Sequence, residues 1–131
     1  HHSDRTPAKG WVITDAGWMA MSRDRGVTGQ PDFGFGQVCN VDGVPLKGVT
    51  MASANQEHGI ITCADAEALK ESDAFFSSRT DDSFVDLFPI GTQLRILPNH
   101  ACATAAQFPC YHHMLDSAHR VTENWDRFYG W

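Results

Sequence analysis

The chain has 131 residues, 42% of them apolar and 20% charged, proportions that suit one soluble domain with its own hydrophobic core. The net charge of -6 is scattered along the sequence, which argues against nucleic acid or an anionic membrane as partner. No apolar run nears the ~18 residues of a membrane-spanning helix, and no basic segment leading into an apolar stretch marks a secretory signal.

Residues 10–17 form a short β-branched run between glycines and read as a strand. Residues 27–43 are rich in Gly, Pro, Asp and Asn, the chemistry of loops and turns. Strands are predicted again over 44–51 and 58–63, with Gly59 marking a bulge or a close backbone approach. Residues 64–70, Ala-Asp-Ala-Glu-Ala-Leu-Lys, are strong helix formers and predict a short helix. The polar stretch 72–83 reads as a loop. Alternation over 92–97 predicts a half-buried strand that Pro98 would end. Residues 111–115 and 119–125 then flank Asp116-Ser117-Ala118, a predicted hairpin turn. Short strands with one or two short helices make the expected fold mainly β, antiparallel and barrel- or sandwich-like, with one domain over 1–131.

Four cysteines (Cys39, Cys63, Cys102, Cys110) make an even number, but no CxxC occurs, which excludes zinc ribbons and thioredoxin-like motifs. A core of this size needs no disulfide staples, so a reducing cytoplasm is the expected compartment. Arg95, Arg120 and Arg127 are spaced singly and read as solvated surface.

The stretch Leu97-Pro98-Asn99-His100-Ala101-Cys102-Ala103-Thr104 carries the chemistry. In extended chain, positions i and i+2 project to one side, so His100 and Cys102 would offer an imidazole nitrogen and a thiolate to one cation. Those donors favour zinc. Two protein ligands are too few for a closed structural site, so the remaining positions would take water or substrate and make the metal a Lewis acid. The bland alternative is a buried cysteine beside a hydrogen-bonded histidine, which is what an isolated His-x-Cys more often means. Asn99 would position a neighbouring group.

In order along the chain stand Asp15-Ala16-Gly17, Ala20-Met21-Ser22-Arg23-Asp24, Glu57-His58-Gly59, Gly91 and Pro98-Asn99-His100-Ala101-Cys102. This succession resembles the C-terminal domain of the D-serine dehydratase-like family, related to D-threonine aldolases. The resemblance runs from about Gly10 to Trp131. It implies an alanine-racemase-type (fold-type III) enzyme dependent on pyridoxal phosphate (PLP). In such enzymes an N-terminal α/β barrel supplies the Schiff-base lysine and the phosphate cradle. The β domain supplies a metal, here through His100 and Cys102, and homodimers are usual. His-x-Cys in this family implies a dehydratase, taking D-serine or D-threo-3-hydroxyaspartate to a 2-oxo acid and ammonia. The aldolases carry His-x-Asp, suited to manganese or magnesium, and cleave their substrate to glycine and an aldehyde. A third reading is a metal-binding or interaction module without catalysis.

The lysines Lys9, Lys47 and Lys70 lie outside any barrel-strand context, and no glycine-rich loop leads into a long helix. The expectation is therefore a partial enzyme, inactive without its barrel domain. His58 is either close to the active site, as the resemblance implies, or a structural strand-edge residue. Of Cys110, His112 and His113, at most one histidine could join the metal, because neighbours on a strand face opposite ways. Asp24 reads as a turn-stabilising carboxylate or a contact to cofactor or partner subunit. Trp125, Phe128, Tyr129 and Trp131 read as packing at a barrel end or a dimer contact.

Overall fold

The computed structural model describes residues 10–24, 28–72, 84–113 and 120–128. Strands β1 (Val12–Thr14), β2 (Gly36–Cys39), β3 (Pro45–Ala54), β4 (Gly59–Cys63) and β5 (Arg95–Pro98) form one antiparallel sheet in the order β1-β4-β3-β2-β5. A separate hairpin pairs β6 (Cys110–His113) with β7 (Glu123–Asp126). Two short helices, α1 (Ala66–Ser72) and α2 (Ala101–Ala105), join them. The expected mainly β, antiparallel architecture is the one adopted. The sheet is open, with β1 and β5 as its edges among the described residues. The predicted turn at 116–118 and the loop over 73–83 lie outside those residues, as do Lys9, Tyr129 and Trp131.

The core lies on one face of the sheet, where alternation delivers it. Val38 from β2, Leu46, Val49 and Met51 from β3, and Ile61 from β4 are fully buried there. Each such side chain contributes roughly 1.5–3 kcal/mol on leaving water. Leu69 of α1 and the pair Phe84–Phe88, edge to face at 5.1 Å, cover this layer. The helix begins two residues later than predicted because Asp65 caps it: its Oδ1 accepts the Ala68 N–H at 3.1 Å.

One strand was hidden in the sequence. Residues 27–43 read as loop, yet β2 lies among them and is an interior strand, paired with both β3 and β5. Its glycine content is a consequence of that pairing. A Cβ on Gly36 would run into the Leu97 carbonyl oxygen and come within 2.7 Å of Ile96 Cγ2. Sheet pairing with buried Val38 overrides turn-like composition.

All four cysteines are free thiols. Cys39 and Cys63 are buried while Cys102 is exposed. Burial pushes the Cys39 thiol up from its ordinary range, and the nearby Arg95 guanidinium offsets only part of that. A brief alkylation of the native protein should therefore mark Cys102 and spare Cys39 and Cys63 until the chain is unfolded. Peptide mass spectrometry checks this; equal native labelling of Cys39 and Cys102 would contradict the packing described.

Candidate metal centre

The centre is assembled where β5 ends. Gly36 of β2 pairs with Pro98, the last strand residue, and Pro98 has no N–H to continue the ladder. The Asn99 N–H still reaches the Phe35 carbonyl at 3.2 Å, so the chain leaves the sheet in a defined direction. His100 follows with extended backbone (φ -134, ψ 100) and is the N-cap of α2. Its carbonyl accepts the Thr104 N–H at 3.1 Å, while its ring makes no capping bond. The alanine-rich run 101–105 then turns helical at once.

His100 and Cys102 do converge: His100 Nε2 and Cys102 Sγ are in direct contact. The extended geometry expected for this stretch is not what brings them together. Cys102 sits in the first turn of α2, and a cap-to-helix step turns its sulfur back toward the ring. The helix escaped notice because five residues are too few to show helical periodicity.

The other ring nitrogen is also engaged. Nδ1 of His100 lies 3.1 Å from Asp24 Oδ2. An ionised carboxylate only accepts, so Nδ1 donates to it, and in the neutral ring Nε2 then turns its lone pair toward Cys102. The Asp24 carboxylate thus serves His100, and the turn reading is corrected. Local turn chemistry uses the backbone of Asp24, whose N–H donates to Ser22 Oγ at 3.2 Å. Asn99 does position a neighbour, its Nδ2 donating to the Asp24 carbonyl at 3.4 Å. Buried Met21 anchors this segment in the core, and Arg23 pairs with Asp32 at 3.4 Å.

The remaining candidates lie elsewhere. His58 Nε2 accepts a bond from Asn55 Nδ2 at 2.9 Å in the turn between β3 and β4. That turn lies against residues 17–19: Trp18 N–H donates to the Asn55 carbonyl at 2.9 Å. A Cβ on Gly59 would come within 2.6 Å of the Ala16 carbonyl oxygen, so the expected close approach is real and sets the Asp-Ala-Gly and Glu-His-Gly segments side by side. His112 Nδ1 bonds Asn124 Oδ1 at 2.7 Å, and His113 stacks on Trp125 with centroids 4.3 Å apart. His112 is thus engaged through Nδ1, whereas His113 is held by stacking and its buried Nδ1 has no hydrogen-bond partner among the described residues. Among the described residues, no group of three or more His, Cys, Asp or Glu is placed to hold a metal.

The hairpin braces α2 from behind. Tyr111 Oη donates to the Ala105 carbonyl at 3.2 Å, and Arg127 Nη1 donates to that of Ala106, so Arg127 is a tie and not merely solvated surface. Between helix and hairpin a hollow of about 540 Å³ opens beside Cys102, bounded by Tyr111, Arg127 and exposed Phe128. A larger cleft of about 960 Å³ lies between the edge strands β1 and β5, but His58, His100 and Cys102 are not among its walls. Donor chemistry, not cleft size, selects the candidate centre. An imidazole and a sulfur aimed at one point, with His100 26% exposed, suit a soft or borderline cation that keeps open positions.

The family model described as "Putative serine dehydratase domain" matches residues 2–114. The chain belongs to this family. Within the serine dehydratase domain family it is 51% identical, over 94% of its length, to D-threo-3-hydroxyaspartate dehydratase of Delftia sp. (strain HT23). It is 30% identical over 100% of its length to D-serine dehydratase of Schizosaccharomyces pombe. It spans only 29% and 26% of those two proteins. The solved Delftia enzyme superposes with a TM-score of 0.69 at 46% identity, covering 97% of this chain and 30% of that one. An alanine racemase-like protein from Idiomarina loihiensis gives 0.67 at 46% identity, covering 94% and 28%. Solved variants of D-threo-3-hydroxyaspartate dehydratase include a histidine-to-alanine form and a cysteine-to-alanine form, the latter in a metal-free form. The two substituted residues stand two positions apart in that enzyme. No described helix is long and apolar enough to cross a membrane.

Proposed function

We propose that this chain is the metal-holding C-terminal domain of a PLP-dependent lyase that removes water from a β-hydroxy D-amino acid, giving a 2-oxo acid and ammonia. The observation that carries the reading is the convergence of His100 Nε2 and Cys102 Sγ within a chain 51% identical to a D-threo-3-hydroxyaspartate dehydratase. The two-position spacing of the substituted residues in the solved D-threo-3-hydroxyaspartate dehydratase variants matches the spacing of His100 and Cys102. The identities favour D-threo-3-hydroxyaspartate over D-serine as substrate. Both named relatives are dehydratases, which favours elimination over aldol cleavage.

Thiolate and imidazole suit zinc better than the harder manganese or magnesium. When bound, the cation supplies Lewis acidity toward a substrate hydroxyl, and PLP, held by a barrel domain outside this chain, supplies an electron sink at the α-carbon. The chain's own residues do the rest locally. His100 and Cys102 hold the cation at an exposed helix start, open toward the barrel domain and, in a homodimer, the partner subunit. His58, with its Nε2 occupied by Asn55, is the candidate for proton transfer through Nδ1. Exposed Trp11, Ile13, Trp125 and Phe128 are the apolar surface that such neighbours would cover. Four free thiols accord with a reducing cytoplasm. Lys47 is exposed and half-buried Lys70 lies 3.9 Å from Glu67, neither in the barrel-strand setting of a Schiff-base lysine, so the isolated chain is expected to be inactive.

The test is a product assay on the complete polypeptide that carries this chain. With D-threo-3-hydroxyaspartate or D-serine it should yield ammonia and a 2-oxo acid in equal amounts. Glycine and an aldehyde as the products would overturn the reading in favour of an aldolase.

A further inference from the structure

We propose that Asp24 is the positioning residue of the metal centre: its carboxylate holds His100 with the proton on Nδ1 and so presents the Nε2 lone pair to the cation. The inference rests on the assignment of His100 and Cys102 as ligands. Three independent features carry it. The Oδ2–Nδ1 separation is 3.1 Å, and a carboxylate can only accept there. Asp24 is held in place by contacts that do not use its carboxylate: its N–H donates to Ser22 Oγ, and its carbonyl accepts from Asn99 Nδ2. Asn99 adjoins His100, so one short stretch of chain both carries the ligand and grips the residue that orients it. The carboxylate is thereby aimed at the ring from a segment 76 positions away in sequence.

An imidazole that donates its second N–H to a carboxylate is fixed in tautomer and rotation and is a more basic ligand. Without that partner the ring could protonate Nε2 or swing away from Cys102. Neither state binds a cation through Nε2.

The experiment uses the complete polypeptide, stripped of metal and titrated with Zn²⁺ against a chelator, and separately loaded with Co²⁺ for its electronic spectrum. Asp24→Ala should weaken Zn²⁺ binding by about 10–100-fold. Asp24→Asn, which can still accept a hydrogen bond but carries no charge, should fall between Asp24→Ala and the wild type. Asp24→Glu should recover most of the affinity. At saturating Co²⁺ the thiolate charge-transfer band should persist in Asp24→Ala, since Cys102 still ligates, while the ligand-field bands shift. The metal-free variants should melt with the wild type, because the exposed carboxylate supports no other described contact. Zn²⁺ affinity of Asp24→Ala within twofold of wild type, with His100→Ala and Cys102→Ala both depleted of metal, would overturn the role of Asp24 alone. Full metal retention by His100→Ala and Cys102→Ala would instead overturn the ligand assignment beneath it.

Discussion

Cys102→Ala and His100→Ala, introduced into the complete polypeptide, are each expected to leave the enzyme with little bound metal and to cut turnover by at least about 10²-fold. The magnitude follows from what is lost. If His100 and Cys102 are the ligands, as proposed, losing either one removes one of the two protein donors of the cation. A Lewis acid at a departing hydroxyl is worth several kcal/mol, and each ~1.4 kcal/mol is about a factor of ten in rate. Stability should hardly change, since Cys102 is exposed and His100 makes no capping bond to α2. Cys102→Asp is the informative companion, because a hard oxygen donor should move preference from zinc toward manganese or magnesium. Elemental analysis of purified protein, read beside ammonia release, checks both. Variants that kept a full complement of metal would show that the ligands lie elsewhere.

Gly36→Ala should damage fold and centre together. An added Cβ meets the Leu97 carbonyl oxygen, a backbone atom that cannot rotate away, and Ile96 Cγ2 at 2.7 Å. Overpacking of this kind costs about 1–3 kcal/mol. Because Gly36 pairs with Pro98, the strain falls where the sheet releases the chain toward Asn99 and His100. We expect a lower denaturation midpoint at unchanged slope, together with weaker Zn²⁺ binding. Gly29→Ala is the control, since a Cβ there would meet nothing within 4 Å. If Gly36→Ala unfolded at the wild-type denaturant concentration, the close approach of β2 to β5 would be wrong.

Much of this was legible in the order of residues. Residues 44–51 and 58–63 read as strands and form most of β3 and all of β4, whose burial largely alternates as a half-buried strand requires. The glycine at position 59 announced a tight approach, and the structure supplies it in Ala16. The meeting of His100 with Cys102 was legible because the two lie within three residues of one another. Two elements were not legible, for different physical reasons. Strand β2 is specified by neighbours on both sides, and its own turn-like composition points the other way. Helix α2 is shorter than two turns, so no period could show.

The sequence by itself thus determined the mainly β class and the family, since these reside in local pattern and motif order. Only tertiary structure decided that the sheet stays open among the described residues, and that cap geometry, not an extended strand, turns sulfur toward imidazole. Tertiary structure alone also set Asp24 against Nδ1 of His100. A hydrogen bond spanning 76 positions leaves no trace in local periodicity. It exists because Met21, buried in the core, fixes one segment while the pairing of β5 with β2 fixes the other, and the two rigid supports leave the carboxylate within reach of the ring.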